Sequence, residues 1–191
     1  MDGVNDMQAP RHNNALAELG GAHWGLLPAL ASLPWLLSQA GNPAGLKSMT
    51  FLLLAALMAS SDVASRRIPN QLTALAAIGG LSWGLMAGGL PGLGQALLGG
   101  AVGFGLFFVF YVVGAVGAGD VKAVGALGCF LAPWPALMLF VLTSLAGGVL
   151  AVIRIAATRR GFMNPAPEQT LPYGLAIACG ALALVLQGGL P

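Results

Sequence analysis

The chain is polar through Ala22 and then runs in apolar blocks separated by short polar, glycine or proline breaks. Trp24 to Ala40 is the first block and carries Pro28 and Pro34. After it come Met49 to Ser61, Leu72 to Leu90, Leu93 to Val116, Val121 to Leu131, Pro135 to Ile155 and Leu171 to Leu190. The breaks hold turn and cap residues: Ser60-Ser61-Asp62 ahead of Ile68-Pro69-Asn70, then Pro91-Gly92, Gly117-Ala118-Gly119-Asp120, Pro133-Trp134-Pro135 and Asn164-Pro165-Ala166-Pro167. No internal repeat is evident. Where water is absent, a helix satisfies its own backbone hydrogen bonds, so such blocks predict helices. The expected fold is all-α: a polytopic membrane helix bundle of six core transmembrane helices, seven if the amino-terminal run also crosses. Its expected organisation is a polar tail over 1–22, an additional apolar segment and loop over 23–48, and a membrane domain over 49–191.

Composition agrees with life in lipid. The chain is 57% hydrophobic and 7% charged, with a mean hydropathy of +0.83, values that exclude an ordinary soluble globule. Its 29 glycines suit helices packed closely in a bilayer. Ser38-Gln39-Ala40 looks like a signal-peptidase site, but Met1 to His23 holds one arginine against Asp2, Asp6 and Glu18, the wrong sign for a secretory leader. The first run is therefore read as a kinked membrane helix.

Charge sets the expected topology. Val121 to Leu131 covers about 16 Å and Met49 to Ser61 about 20 Å, short of a hydrocarbon core near 30 Å. Counting both as crossings nevertheless puts Arg66, Arg67, Lys122, Arg154, Arg159 and Arg160 on one side, which the positive-inside rule makes cytoplasmic. Lys47 is the exception and falls outside. A net charge of +2, scattered along the chain, excludes nucleic-acid binding. Cys129 and Cys179 form no CxxC pair and read as core packing, while His12 and His23 lack HExxH or HxxEH spacing. Neither a metal nor any other cofactor is expected.

Beyond the tail, the carboxylates are Asp62, Asp120 and Glu168 alone. Acids retained at the edge of an apolar bundle are candidates for chemistry, because they are costly there. Asp62 closes one block and Asp120 opens another on the same expected face. Two carboxylates brought close cannot both ionise, so one keeps a proton while the other acts as base on an attacking water. The bland alternatives are a helix cap for Asp120 and an ion pair with Arg66 for Asp62. Glu168, bracketed by prolines, reads as a solvated loop charge.

Asp62-Val63-Ala64-Ser65-Arg66-Arg67-Ile68-Pro69-Asn70, then Gly117-Ala118-Gly119-Asp120-Val121-Lys122 some fifty positions on, then Leu171-Pro172-Tyr173-Gly174, together resemble the type IV prepilin peptidase family, whose GxGD motif is the second of these. The resemblance runs from about Met49 to Leu190. It implies a membrane aspartic endopeptidase that cuts the short basic leader from prepilins or pseudopilins at the cytoplasmic face of the bacterial inner membrane. Asp62 and Asp120 match its catalytic pair. Around them, Gly117 and Gly119 permit turns and close approach before Asp120, and Arg66, Pro69, Asn70, Lys122, Tyr173 and Gly174 are expected to shape the site. Pro69 and Asn70 suit a helix start, Lys122 suits snorkelling to headgroups, and Tyr173 suits a site hydrogen bond or an interfacial belt. The larger members carry a paired-CxxC insert and also methylate the new amino terminus. This chain has no such cysteines and resembles the compact branch of tight-adherence (Flp-type) pilus systems, for which cleavage alone is expected. Expected partners are the prepilin leader, the lipid bilayer and pilus or secretion assembly components. Presenilin-like proteases share GxGD, but their other motifs are missing. The rival functions are a proton-coupled small-solute transporter and a structural subunit of a pilus or secretion assembly.

Overall fold

A computed structural model describes residues 42–159, 173–188 and 190. The amino-terminal tail, the first apolar run, Arg160 and Glu168 lie outside the described residues. Those described form α1 (Pro43–Ser65), α2 (Asn70–Val112), α3 (Ala118–Gly128), α4 (Pro133–Arg159) and α5 (Tyr173–Leu186), with no strand among them. The fold is an all-α bundle, and α1, α2 and α4 as far as Ala157 are each long and apolar enough to cross a membrane.

Helix α1 is longer at both ends than its apolar block. Asn42 caps it, its side-chain oxygen accepting the Ala44 N–H at 3.1 Å, and Pro43 occupies the first turn, where a missing N–H costs nothing. The helix thus begins six residues before Met49 and takes in Lys47. At the other end it passes through Asp62 and stops when Arg66 turns left-handed (φ 54°, ψ 26°), its N–H donating to the Asp62 carbonyl. At 23 residues, or about 34 Å, α1 is long enough to cross a hydrocarbon core that its apolar block alone would not.

The Leu72 to Leu90 and Leu93 to Val116 blocks form one 43-residue element, broken at Gly89 (φ 59°, ψ −146°). That backbone geometry is open only to glycine, and the chain folds back there. A Cβ built on Gly84 would lie 2.8 Å from the Gly92 carbonyl oxygen, although eight residues of straight helix would hold the two about 12 Å apart. Pro91 falls in the first turn of the returning arm, where no N–H is needed. Arms 70–88 and 90–112 are therefore antiparallel.

The short α3 packs against both arms. A Cβ on Gly80 would sit 2.6 Å from the Cys129 carbonyl carbon, and one on Gly103 2.9 Å from the Val124 oxygen; Gly99 touches the backbone of Gly128 and Leu131. Small residues let these backbones approach. Cys129 belongs to this packing, donating its thiol to the Gly125 carbonyl at 3.5 Å. Val121, Val124 and Leu127 of α3 join Phe51 and Met58 of α1 and Ile177 and Val185 of α5 in the core. Helix α3 points away from the end where α1 finishes, and α4 returns toward it. At the far end, Lys47 and the residues that follow the carbonyl terminus of α3 (Cys129 to Ala132) line one hollow of about 270 Å³ with Trp83 and Gln95, a placement that suits a cation beside the negative end of a helix.

Candidate active site

Three chain breaks converge at the end of the bundle where α1 stops: the α1–α2 turn, the α2–α3 turn that leads into the α3 amino terminus, and the α5 amino terminus. Between them lies a cavity of about 880 Å³. Asp62 reaches it from the last turn-and-a-half of α1 and Asp120 from the third position of α3. Only 9% of Asp62 and 8% of Asp120 is exposed. Buried carboxylates need hydrogen-bond donors, and glycine N–H groups supply them. Gly174 donates to Asp62 Oδ2 at 2.8 Å, from a residue 112 positions away, and Gly117 donates to Asp120 Oδ2 at 3.0 Å.

The second contact is a capping interaction, with the acid reaching back to the N-cap backbone of its own helix. The cap expected of Asp120 is real, and it coexists with the acid's place in the cavity. Gly117 is the extended N-cap of α3 (φ −81°, ψ 156°). Gly119 packs on Ile68, to which a Cβ would come within 3.7 Å.

Asp120 sits outside the three long helices, on an element of 11 residues. Burial pushes its carboxyl up to about 6, with the negative charge of Asp62 adding to the rise and the Gly117 N–H partly offsetting it. The two acids therefore sense each other. Arg66 also acts on Asp62 as a neighbouring positive charge.

The remaining anticipated residues are distributed around this cavity. Arg66, Asn70, Lys122 and Tyr173 line it. Lys122 donates to the Asn70 side-chain oxygen at 3.2 Å, linking α3 to the start of α2 across 52 positions. Asn70 thus opens α2 and also makes a long-range contact. Pro69 does not line the cavity; as N-cap of α2 it offers its carbonyl to the Leu72 and Thr73 N–H groups. Gly174 touches the site through its N–H. Tyr173 lies half-buried, hydrogen-bonded to the Ser144 side chain and edge-on to Phe107 with ring centroids 6.0 Å apart.

The sequence pattern missed the wall that α4 supplies: Ser144, Gly147, Gly148 and Ala151. The Tyr173 ring lies where a Gly147 Cβ would stand, 2.8 Å from its hydroxyl oxygen. Two adjacent glycines inside an apolar helix were the available signal, since glycine there commonly marks a close approach. No group of three or more metal-ligating side chains occurs among the described residues.

Fold and site define a class: an apolar helical bundle that gathers two buried carboxylates, from helices far apart in sequence, into one cavity at its charged end. Residues 49–152 match the type IV leader peptidase family. Prepilin leader peptidase/N-methyltransferase of Burkholderia pseudomallei (strain 1026b) is 33% identical over 159 residues, covering 77% of this chain and 48% of that protein. The protein of the same name in Aeromonas salmonicida (strain A449) is 32% identical over 173 residues, covering 86% of this chain and 50% of its own length. The chain thus spans about half the length of the curated relatives it matches. No solved structure matches it. The chain belongs to the type IV leader peptidase family.

Proposed function

We propose that this chain is a membrane aspartic endopeptidase that removes the leader from type IV prepilins or pseudopilins at the cytoplasmic face of the inner membrane. The observation that carries the reading is the meeting of Asp62 and Asp120 in one cavity, each oriented by a glycine N–H. The dyad shares a proton. One carboxyl of the pair holds it and the other, as the anion, is the base. The anionic member takes a proton from water as the water oxygen attacks the scissile carbonyl, and the protonated member donates to the developing oxyanion. Collapse of the tetrahedral adduct breaks the C–N bond, and the leaving amine takes a proton from the dyad. No covalent enzyme intermediate is formed.

Arg66, Arg67 and Lys122 at this end of the bundle support a cytoplasmic orientation. Likeness of its motifs to the tight-adherence branch supports a Flp-type substrate. The test is coexpression with candidate pilin precursors. Asp62→Asn and Asp120→Asn, each nearly isosteric, are expected to abolish processing while both variants still insert in the membrane. Retained processing in either would refute the dyad.

A further inference from the structure

Helix α4 carries no acid, yet it reaches Asp62 through one aromatic side chain. Gly174, whose N–H donates to Asp62 Oδ2 at 2.8 Å, is the second residue of α5. The first is Tyr173, so whatever holds its ring also holds the turn that carries this donor. Two helices hold it. On α4 the phenol is hydrogen-bonded to the Ser144 side chain, and the ring edge lies against Gly147, where Cε2, Cζ and the hydroxyl oxygen would stand 2.8 to 2.9 Å from an added Cβ. Ser144 and Gly147, three positions apart, share a helix face. On α2, Phe107 meets the ring edge-on. Packing between Gly147 and Phe107 confines the ring to a slot, and the hydrogen bond at its tip sets how far along that slot it lies.

Tyr173 and Ser144 both line the cavity of the acids, and the negative charge of Asp120 acts on the phenol. The neighbouring hydroxyl of α4 behaves differently. Thr143 is fully buried with no hydrogen-bond partner for its hydroxyl, and it packs where a Gly180 Cβ would stand on α5. Thr143 thus joins α4 to α5 by packing, whereas Ser144 joins them by a directed bond. We infer that Ser144 and Tyr173 are positioning residues for the dyad, their hydrogen bond fixing the first turn of α5 so that the Gly174 N–H is aimed at Asp62. Neither side chain exchanges a proton with the substrate in this role. An N–H donated to a carboxylate favours its charged form. In a pair that must carry one ion, slackening that donor makes the ion harder to form and loosens the carboxylate it orients. The inference rests on the endopeptidase reading above and extends it to α4.

The test is the steady-state kinetics of the full chain in proteoliposomes with a pilin precursor, measured across pH. Failure of the wild-type protein to process the precursor would defeat the endopeptidase reading and this inference with it. Given processing, Tyr173→Phe and Ser144→Ala, which keep the ring and the backbone, are each expected to lower kcat about tenfold with little change in KM, the scale of one hydrogen bond. In both, the acidic limb of the kcat/KM profile should move to higher pH. The double variant should be no slower than either single one, because both remove the same bond. Ser144→Thr, which retains the hydroxyl, is expected to keep the wild-type rate and profile. Gly147→Ala leaves both hydroxyls in place but displaces the ring, and is expected to lower kcat and move the acidic limb in the same direction. Thr143→Val, which removes the unpartnered hydroxyl one position away, is expected to change neither. Wild-type kcat in the Tyr173→Phe or Ser144→Ala protein overturns the positioning role while leaving the dyad intact. So do losses that multiply in the double variant, or a fall in kcat with an unmoved acidic limb.

Discussion

Asp62 and Asp120 are each held by a glycine N–H, but the two glycines differ in how much room surrounds them. A Cβ at Gly117 would come to 3.2 Å from Asp120 Oδ2, which a small shift of the carboxylate relieves. At Gly174 it would lie 2.8 Å from Asp62 Cβ and 3.1 Å from the Ala59 Cα, so that α5 and α1 must part or Asp62 must leave its position. Gly174→Ala is therefore expected to lower the kcat of leader cleavage about 100-fold, the scale on which small misplacements act. Gly117→Ala should have the milder effect, and steady-state kinetics on both purified variants checks the order. The raised Asp120 carboxyl has a signed consequence for stability. In the folded chain it keeps its proton up to about pH 6, against an ordinary value of 3.8. The stability this contributes is fully present below 3.8 and is lost as pH rises through about 6. Thermal unfolding in detergent should show Tm falling across that window in the wild type, with the slope reduced in Asp120→Asn. Equal slopes in the two proteins would contradict the shift.

At the scale of elements, the turn at Gly89 decides whether α2 is one long rod or two arms. Its φ of 59° and ψ of −146° belong to a region essentially closed to other residues. Gly89→Ala is expected to cost about 1–3 kcal/mol, read as a lower midpoint in detergent-induced unfolding. Gly88→Ala meets nothing within 4 Å and is expected to be near neutral. The contrast between adjacent glycines tests the hairpin rather than glycine content in general. The break was visible in the sequence as Pro91-Gly92, displaced by two residues from the true hinge, because proline marks the start of the returning helix and the reversal precedes it. The α1 extension was less visible. An Asn-Pro cap and a lysine interrupt no helix, yet they close an apolar block.

For the molecule as a whole, the bundle gathers Arg66, Arg67 and Lys122 with the two acids at one end and leaves Lys47 at the other. The proposed orientation predicts an asymmetry of chemical labelling. In a Cys129→Ala, Cys179→Ala background, a cysteine replacing Arg67 is expected to react with an impermeant maleimide only after the inner membrane is opened. A cysteine replacing Gly88, at the hairpin tip, is expected to react beforehand in spheroplasts. The opposite pattern would invert the topology and remove the cytoplasmic site from the proposal.

The all-helical class, the order of the apolar segments and the two acids that line one cavity were legible in the sequence, because lipid imposes hydrophobic runs of a minimum length and makes isolated carboxylates conspicuous. The partners of those acids were not. That Gly174 donates to Asp62, that Lys122 reaches Asn70, and that α4 walls the cavity through Gly147 and Gly148 depend on which helix faces lie against one another. In a bundle that is apolar nearly all round, hydrophobic periodicity does not specify those faces. Backbone contacts at small residues decide them, and they exist only once the arms of α2 have closed around α3.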